Sequence, residues 1–178
     1  MYELVILGFL MRSVSHGYRI VKIINDIIGP YAKLSSGRLY PLFEKLARDG
    51  QIEATNAQGK GTRQREYIIT EKGKQRFHQL MMDTVSNPGE YKKLFQMKMV
   101  FWDLIEPNEQ LYLLDHYRNY CQTHIFHLDH EIEDLQNRHR DIGDYVESSI
   151  SVMTHIKAEW ELELEWVEKM KQGTEGAN

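Results

Sequence analysis

The apolar residues of this chain fall into helical spacing, then into alternation, then into helical spacing again. From Tyr2 to Met11 they crowd together. Leu4, Ile6, Leu7 and Leu10 predict a short buried helix, with Gly8 leaving room for close packing. Residues 13–17 interrupt it. A second helix opens at His16-Gly17-Tyr18, sets Ile20, Ile23, Ile24 and Ile27 on one stripe, and stops at Gly29-Pro30. A third is predicted over 35–50, SSGRLYPLFEKLARDG. Leu39, Leu42, Phe43 and Leu46 recur there at i, i+3, i+4 and i+7, Ser35 or Ser36 suits the N-cap, and Gly50 suits the C-terminal stop. Pro41 lies inside this helix and deletes the bond to the Gly37 carbonyl, a loss of about 3 kcal/mol unless the first turns adjust.

Alternation takes over after Gly50. Residues 51–55 read as a short strand with Ile52 inward, and 65–69 as its returning partner with Tyr67 and Ile69 on one face. Between them NAQGKGTRQ, residues 56–64, is a polar loop with two glycines and two cations. Thr70 caps a fourth helix to about Met82, packing Phe77, Leu80 and Met81. Three helices, a two-stranded hairpin with a basic loop, then a helix is the order of a winged helix-turn-helix. In that fold the third helix enters a major groove and the wing lies on the backbone or in the minor groove.

Ser86-Asn87-Pro88-Gly89 reads as a linker, so domains are expected over 1–86 and 87–178. The second half is wholly helical by pattern. Residues 91–104 are dense in apolar side chains, and Pro107 starts a long helix. Leu111, Leu114, Arg118, Cys121, Ile125, Leu128, Ile132, Leu135, His139 and Ile142 then make a heptad seam, with Arg118 and His139 as its polar interruptions. Gly143 allows a turn. A last helix runs from about Tyr145 to Met170 on a stripe of Ile150, Met153, Trp160, Leu164 and Val167. The expected fold is mainly α: an N-terminal winged helix-turn-helix with a two-stranded β wing, and a C-terminal long-helix dimerisation domain. Leu111, Leu114, Cys121, Ile125, Leu128, Ile132, Leu135, Trp160 and Leu164 are the expected dimer contacts.

Charge divides the chain at the same place. Residues 1–86 hold 13 Lys and Arg against 8 Asp and Glu, whereas residues 87–178 hold 9 against 18. A basic module joined to an acidic one fits a nucleic-acid reader attached to something with another task. No apolar run is long enough to span a membrane, and the N-terminus lacks the basic flank and small-residue site of a signal peptide. A single cysteine, Cys121, excludes an internal disulfide and fits the cytoplasm.

These stretches resemble the PadR-type transcriptional regulators. The resemblance rests on HGYRI at 16–20, SSGRLYPLFEKLARDG at 35–50, REYIITEKGK at 65–74 and YKKLFQMKMVFW at 91–102. Beyond residue 86 it is architectural, and it is similar to the subfamily with the larger C-terminal helical domain, that of the phenolic-acid repressor. It implies a homodimer on double-stranded operator DNA, often released by a small ligand, with phenolic acids as first candidates and no cofactor.

The candidate DNA contacts are Ser35, Ser36, Arg38, Tyr40, Lys45, Lys60, Arg63 and Arg65. Arg38 and Tyr40, early in the third helix, suit base edges; Lys60 and Arg63, on a glycine loop, suit phosphates or a narrow minor groove. Tyr91, Phe95, Met99 and Trp102 are candidates to line an effector site, since such sites are mostly apolar. The expected function is therefore a ligand-responsive dimeric repressor, not an enzyme. Two readings compete. His124, His127, His130 and Glu131 share one helix and would serve a metal-dependent enzyme or metal sensor, although they lack the zincin spacing. Alternatively the winged helix binds no DNA, and the acidic helices make an interaction adapter.

Overall fold

The computed structural model describes residues 1–28, 36–55, 65–142 and 145–176, without the side chains of residues 27, 28, 36, 38, 138–142 and 145. The chain divides into two compact units, Met1–Trp102 and Asp103–Asn178. The first contains α1 (Tyr2–Arg12), β1 (Ser15–His16), α2 (Gly17–Ile28), α3 (Ser36–Arg48), β2 (Ile52–Ala54), β3 (Glu66–Ile69), α4 (Glu71–Met82) and α5 (Tyr91–Met99). The second contains α6 (Pro107–Ile142) and α7 (Tyr145–Gly176). The division falls after Trp102, so residues 87–102 pack with the first unit rather than the second.

α1 is the centre of the first unit. Leu4, Val5, Ile6, Leu7 and Leu10 are all buried, against α2, α4 and the sheet. Ile20, Val21 and Ile24 of α2 and Leu39, Phe43 and Leu46 of α3 complete this core, while Leu42 is half-buried. α3 runs through Pro41. It ends in a Schellman turn: the Gln51 N–H donates to the Leu46 carbonyl at 2.9 Å, the Gly50 N–H to Ala47 at 3.0 Å, and Gly50 takes φ 70°. Thr70 then joins two elements. Its hydroxyl donates to the Gly50 carbonyl at 2.7 Å and accepts from the Gly73 N–H at 3.1 Å, capping α4.

The sheet has three strands, not the two expected. β3 is central, with β1 and β2 antiparallel on either side; Ser15 and Ala54 both lie opposite Tyr67. The extra strand falls in the stretch read as an interruption between helices. Two residues are too few to display a period. Together these elements make the winged helix-turn-helix order, whose wing tip, residues 56–64, lies outside the described residues.

The helix expected over 91–104 breaks at Met99 and resumes as a single 3-10 turn, Trp102–Leu104. The cause is Phe101. Its ring enters between α1 and α4, with centroids 5.3 Å from Phe9 and 5.9 Å from Phe77, and lies against Gly8. Arg12 fastens the turn by donating to the Val100 carbonyl at 2.9 Å.

In the second unit α6 and α7 run antiparallel, as the pairs Asp115–Lys171 (2.7 Å), Tyr117–Glu163 (2.7 Å) and Asp129–Lys157 (2.6 Å) show. Leu113, Leu114, Tyr117, Cys121 and Leu128 of α6 and Val146 and Val167 of α7 are buried between them. Of the expected seam, Leu114, Cys121 and Leu128 face inward, whereas Leu111, Ile125, Ile132 and Leu135 are half-buried, as are Trp160 and Leu164 of α7. Among the described residues no helix is long and apolar enough to cross a membrane.

Candidate nucleic-acid interface

The exposed side of α3 is built by its buried one. With Leu39, Phe43 and Leu46 turned to the core, Pro41, Glu44, Lys45 and Arg48 face outward. Tyr40 stands at the edge. It is half-buried, its centroid 6.3 Å from Phe43, and its ring would meet a Cβ placed on Gly17 at 3.6 Å. Arg65 is half-buried at the foot of β3, where its carbonyl accepts the Gly17 N–H at 3.2 Å. Tyr67 above it is core, 5.0 Å from Phe43, and burial pushes its phenol above the usual tyrosine range. Thus Tyr40, Arg65 and the start of α2 converge on one corner of the unit. Ser36 and Arg38 begin α3 without described side chains, and Ser35, Lys60 and Arg63 lie outside the described residues.

Sequence reasoning missed one part of this surface. His16, Tyr18, Arg19 and Lys22, with Ile23 and Asp26, line an open groove of about 490 Å³ along α2. The His16 and Tyr18 rings stack at 6.3 Å, and His16 Nδ1 lies 3.5 Å from Glu66. The signal was available: Tyr18, Arg19 and Lys22 occupy the positions off the Ile20-Ile24 stripe, two long cations and an exposed phenol on one turn and a half of helix.

The four candidate effector residues do gather, but as packed core. Tyr91 and Phe95 are fully buried, 6.3 Å apart, and Trp102, half-buried, lies 6.4 Å from Phe95; Met99 is half-buried too. Among them sits a residue the pattern did not single out. Lys98 is fully buried, donates from Nζ to the Asp83 carbonyl at 2.5 Å, and lies 5.4 Å from the Tyr91 ring centroid. Burial pulls its ammonium down to about 8, with the Asp83 carboxylate opposing the fall.

The histidine cluster does not assemble. His124 stacks on Trp160 at 4.1 Å with the rings 3° from parallel, and takes the edge of Tyr120 at 4.6 Å. Burial first, and His127 second, hold its pKa below the usual histidine value. His127 faces Glu131 at 3.9 Å, and His130 is exposed. Among the described residues no three His, Cys, Asp or Glu side chains come together as metal ligands.

Comparison with known proteins agrees with the first unit. Residues 6–79 match the Transcriptional regulator PadR-like family. The Negative transcriptional regulator PadR of Bacillus subtilis (strain 168) is 28% identical over 105 residues, 58% of this chain and 58% of that protein's length. Two solved structures align along nearly the whole chain at low similarity. Bacillus subtilis PadR in complex with operator DNA has 21% identity and a TM-score of 0.41, covering 96% of each chain. The same protein in complex with p-coumaric acid has 18% identity and a TM-score of 0.42, covering 97% of this chain and 98% of that one. Three of the quoted motifs lie inside the matched segment, so residues 6–79, with the fold described above, are similar to the PadR-like family of transcriptional regulators.

Proposed function

We propose that this chain is a dimeric DNA-binding transcriptional regulator of the cytoplasm, a repressor that a small aromatic or amphipathic ligand releases from its operator. One observation carries the reading: the α2–α3 pair, on its three-stranded sheet, lies wholly inside the segment that matches the family. Residues 1–86 would hold the DNA-reading surface, and residues 87–178 the dimerisation and effector functions. α3 then presents Arg38 and Tyr40 to base edges, with Ser35, Ser36 and Lys45 at the groove walls. Lys60, Arg63 and Arg65 serve the wing. The outward Arg19 and Lys22 of α2 suit phosphates, because the first helix of such a pair crosses the backbone.

Support for dimerisation comes from Leu111, Ile125, Ile132 and Leu135 on α6, which stay only half-buried in a single chain. Two copies would set two third helices about one DNA turn, ~34–36 Å, or a multiple apart. A ligand with higher affinity for the DNA-free form would then shift the population off the operator by that difference in affinity.

A shift assay on a duplex from upstream of the chain's own gene tests this. Binding in the presence of excess unrelated duplex is expected, and its absence on every upstream fragment contradicts the reading. In a salt series, Arg38→Ala should relax preference at one operator position at a cost of ~1–3 kcal/mol. Lys60→Ala should weaken all duplexes alike and lower the salt slope by about one.

A further inference from the structure

We propose that Glu44, in the middle of α3, is a specificity-determining residue of the DNA-reading surface and accepts a hydrogen bond from the N4 amino group of a cytosine in the major groove. The assignment rests on the regulator reading above. Its ground is position. At about 3.6 residues per turn, the line opposite Leu39, Phe43 and Leu46 runs through Gly37, Pro41, Glu44 and Arg48, and all four are exposed. Gly37 and Pro41 have no hydrogen-bonding side chain. Glu44 is therefore the first polar side chain on the midline of the helix, with Tyr40 to one side and Lys45 to the other. A midline without bulk before it lets the helix approach a groove floor closely.

The carboxylate is not used inside the fold. Among the described residues Glu44 makes no hydrogen bond and no ion pair. Arg65 is its neighbour in the field around Tyr67: the phenol is raised chiefly by burial, lowered by the Arg65 charge and raised by that of Glu44. Arg65 does not close on the carboxylate, and its Nε is buried with no hydrogen-bond partner among the described residues. Its charge offsets part of the repulsion between Glu44 and the DNA phosphates. A carboxylate gains nothing from phosphates, so a groove-facing one is useful only against a base-edge donor.

That requirement selects the base. An ionised carboxylate only accepts hydrogen bonds. In the major groove guanine presents the acceptors N7 and O6, thymine the acceptor O4 and a methyl group, and adenine an acceptor N7 beside its N6 donor. Cytosine alone presents a donor with no acceptor beside it on its own edge. Lys45 and Arg48, exposed on the same helix, supply the attraction to the backbone that Glu44 cannot.

The test uses the full chain as wild type, Glu44→Ala and Glu44→Gln. Each selects from a duplex pool with a randomised centre, and the enriched duplex and its single-base variants are then titrated. Wild type should enrich cytosine at one position of each half-site and lose about tenfold in affinity when that base pair is changed. Glu44→Ala should bind all variants at that position alike and keep its preferences elsewhere. Glu44→Gln should move the preference to adenine, because an amide pairs bidentately with adenine N6 and N7. Both variants should hold unrelated duplex more tightly, since a negative charge among phosphates is gone. Tighter binding with every base preference unchanged makes Glu44 a repulsive charge and overturns the proposal. So does a base other than cytosine at the position that Glu44→Ala relaxes. Either result leaves the regulator reading intact, whereas enrichment of no duplex by wild type overturns that reading and this assignment with it.

Discussion

The two units bury their apolar residues in opposite ways. Residues 1–102 enclose one helix: α1 has five large apolar side chains buried, and even the chain's exit is fastened by Phe101 between Gly8, Phe9 and Phe77. Residues 103–178 are two long helices sharing one seam. A helix pair has only one inner face. Phe126, Leu162 and Val152 accordingly stay 74%, 68% and 58% exposed, and four seam residues of α6 are only half covered. The first unit has its core closed within one chain, as the DNA-reading module proposed for it would need. The second has apolar surface left over, which is what a second copy would use.

If the first unit is closed, its fastener should be expensive to remove. Phe101→Ala is expected to cost about 3–5 kcal/mol in urea unfolding. A loss under 1 kcal/mol would mean that residues 100–102 pack loosely and that the unit ends earlier. Gly73→Ala should follow at about 3 kcal/mol, because the added Cβ would meet the Gln51 carbonyl oxygen at 2.0 Å, and that partner is backbone. Gly8→Ala should cost a comparable amount, since the added Cβ would meet the Phe101 ring at 2.6 Å, and that ring is fully buried between Phe9 and Phe77.

Lys98 sharpens the comparison from the polar side. Its folded pKa near 8 lies below the unfolded value of about 10.4, so between them the unfolded chain holds more protons. Unfolding free energy should therefore rise with pH across that window, by about 2–3 kcal/mol, and Lys98→Met should remove the rise. The difference between the two pH profiles isolates this group from the tyrosines. A wild-type profile that stays flat from pH 8 to 10 relative to the variant would show the amine to be solvated.

The smallest expected effect has the opposite sign. A Cβ on Gly173 of α7 would meet nothing within 4 Å. Gly173→Ala should stabilise the chain by about 0.5–1 kcal/mol through helix propensity. A destabilisation instead would place another surface against the end of α7.

Much of this was legible in the chain, and the exceptions share a cause. The α3 stripe was legible because four apolar residues at helical spacing and a terminal glycine admit one arrangement. Ser15-His16 was not, because a two-residue strand has no period. The break at Met99 was hidden since aromatic density reads alike in a helix and in a plug. Lys98 was passed over because a lysine's type argues for exposure, and only the fold shows otherwise. The α6 seam was half legible: a heptad repeat states that something packs on it, not whether α7 or another copy does. Arg118, read as a polar interruption, is half-buried and lies 3.8 Å from Asp115 and 4.0 Å from Glu168 of α7. The packing of His124 was not legible because its partner, Trp160, lies on the other helix. At the candidate DNA surface, Tyr40 and Lys45 were found by asking what the α3 stripe leaves outside, and the same question put to α2 would have found Arg19 and Lys22.

The division of labour between the units is tested most directly by stoichiometry. Sedimentation equilibrium of the full chain, alone and on the shortest upstream duplex that it shifts, counts chains per complex. The account expects two chains in solution at micromolar concentration and two chains per duplex. One chain in solution and one per duplex would contradict it, and would mean that α6 and α7 serve only each other.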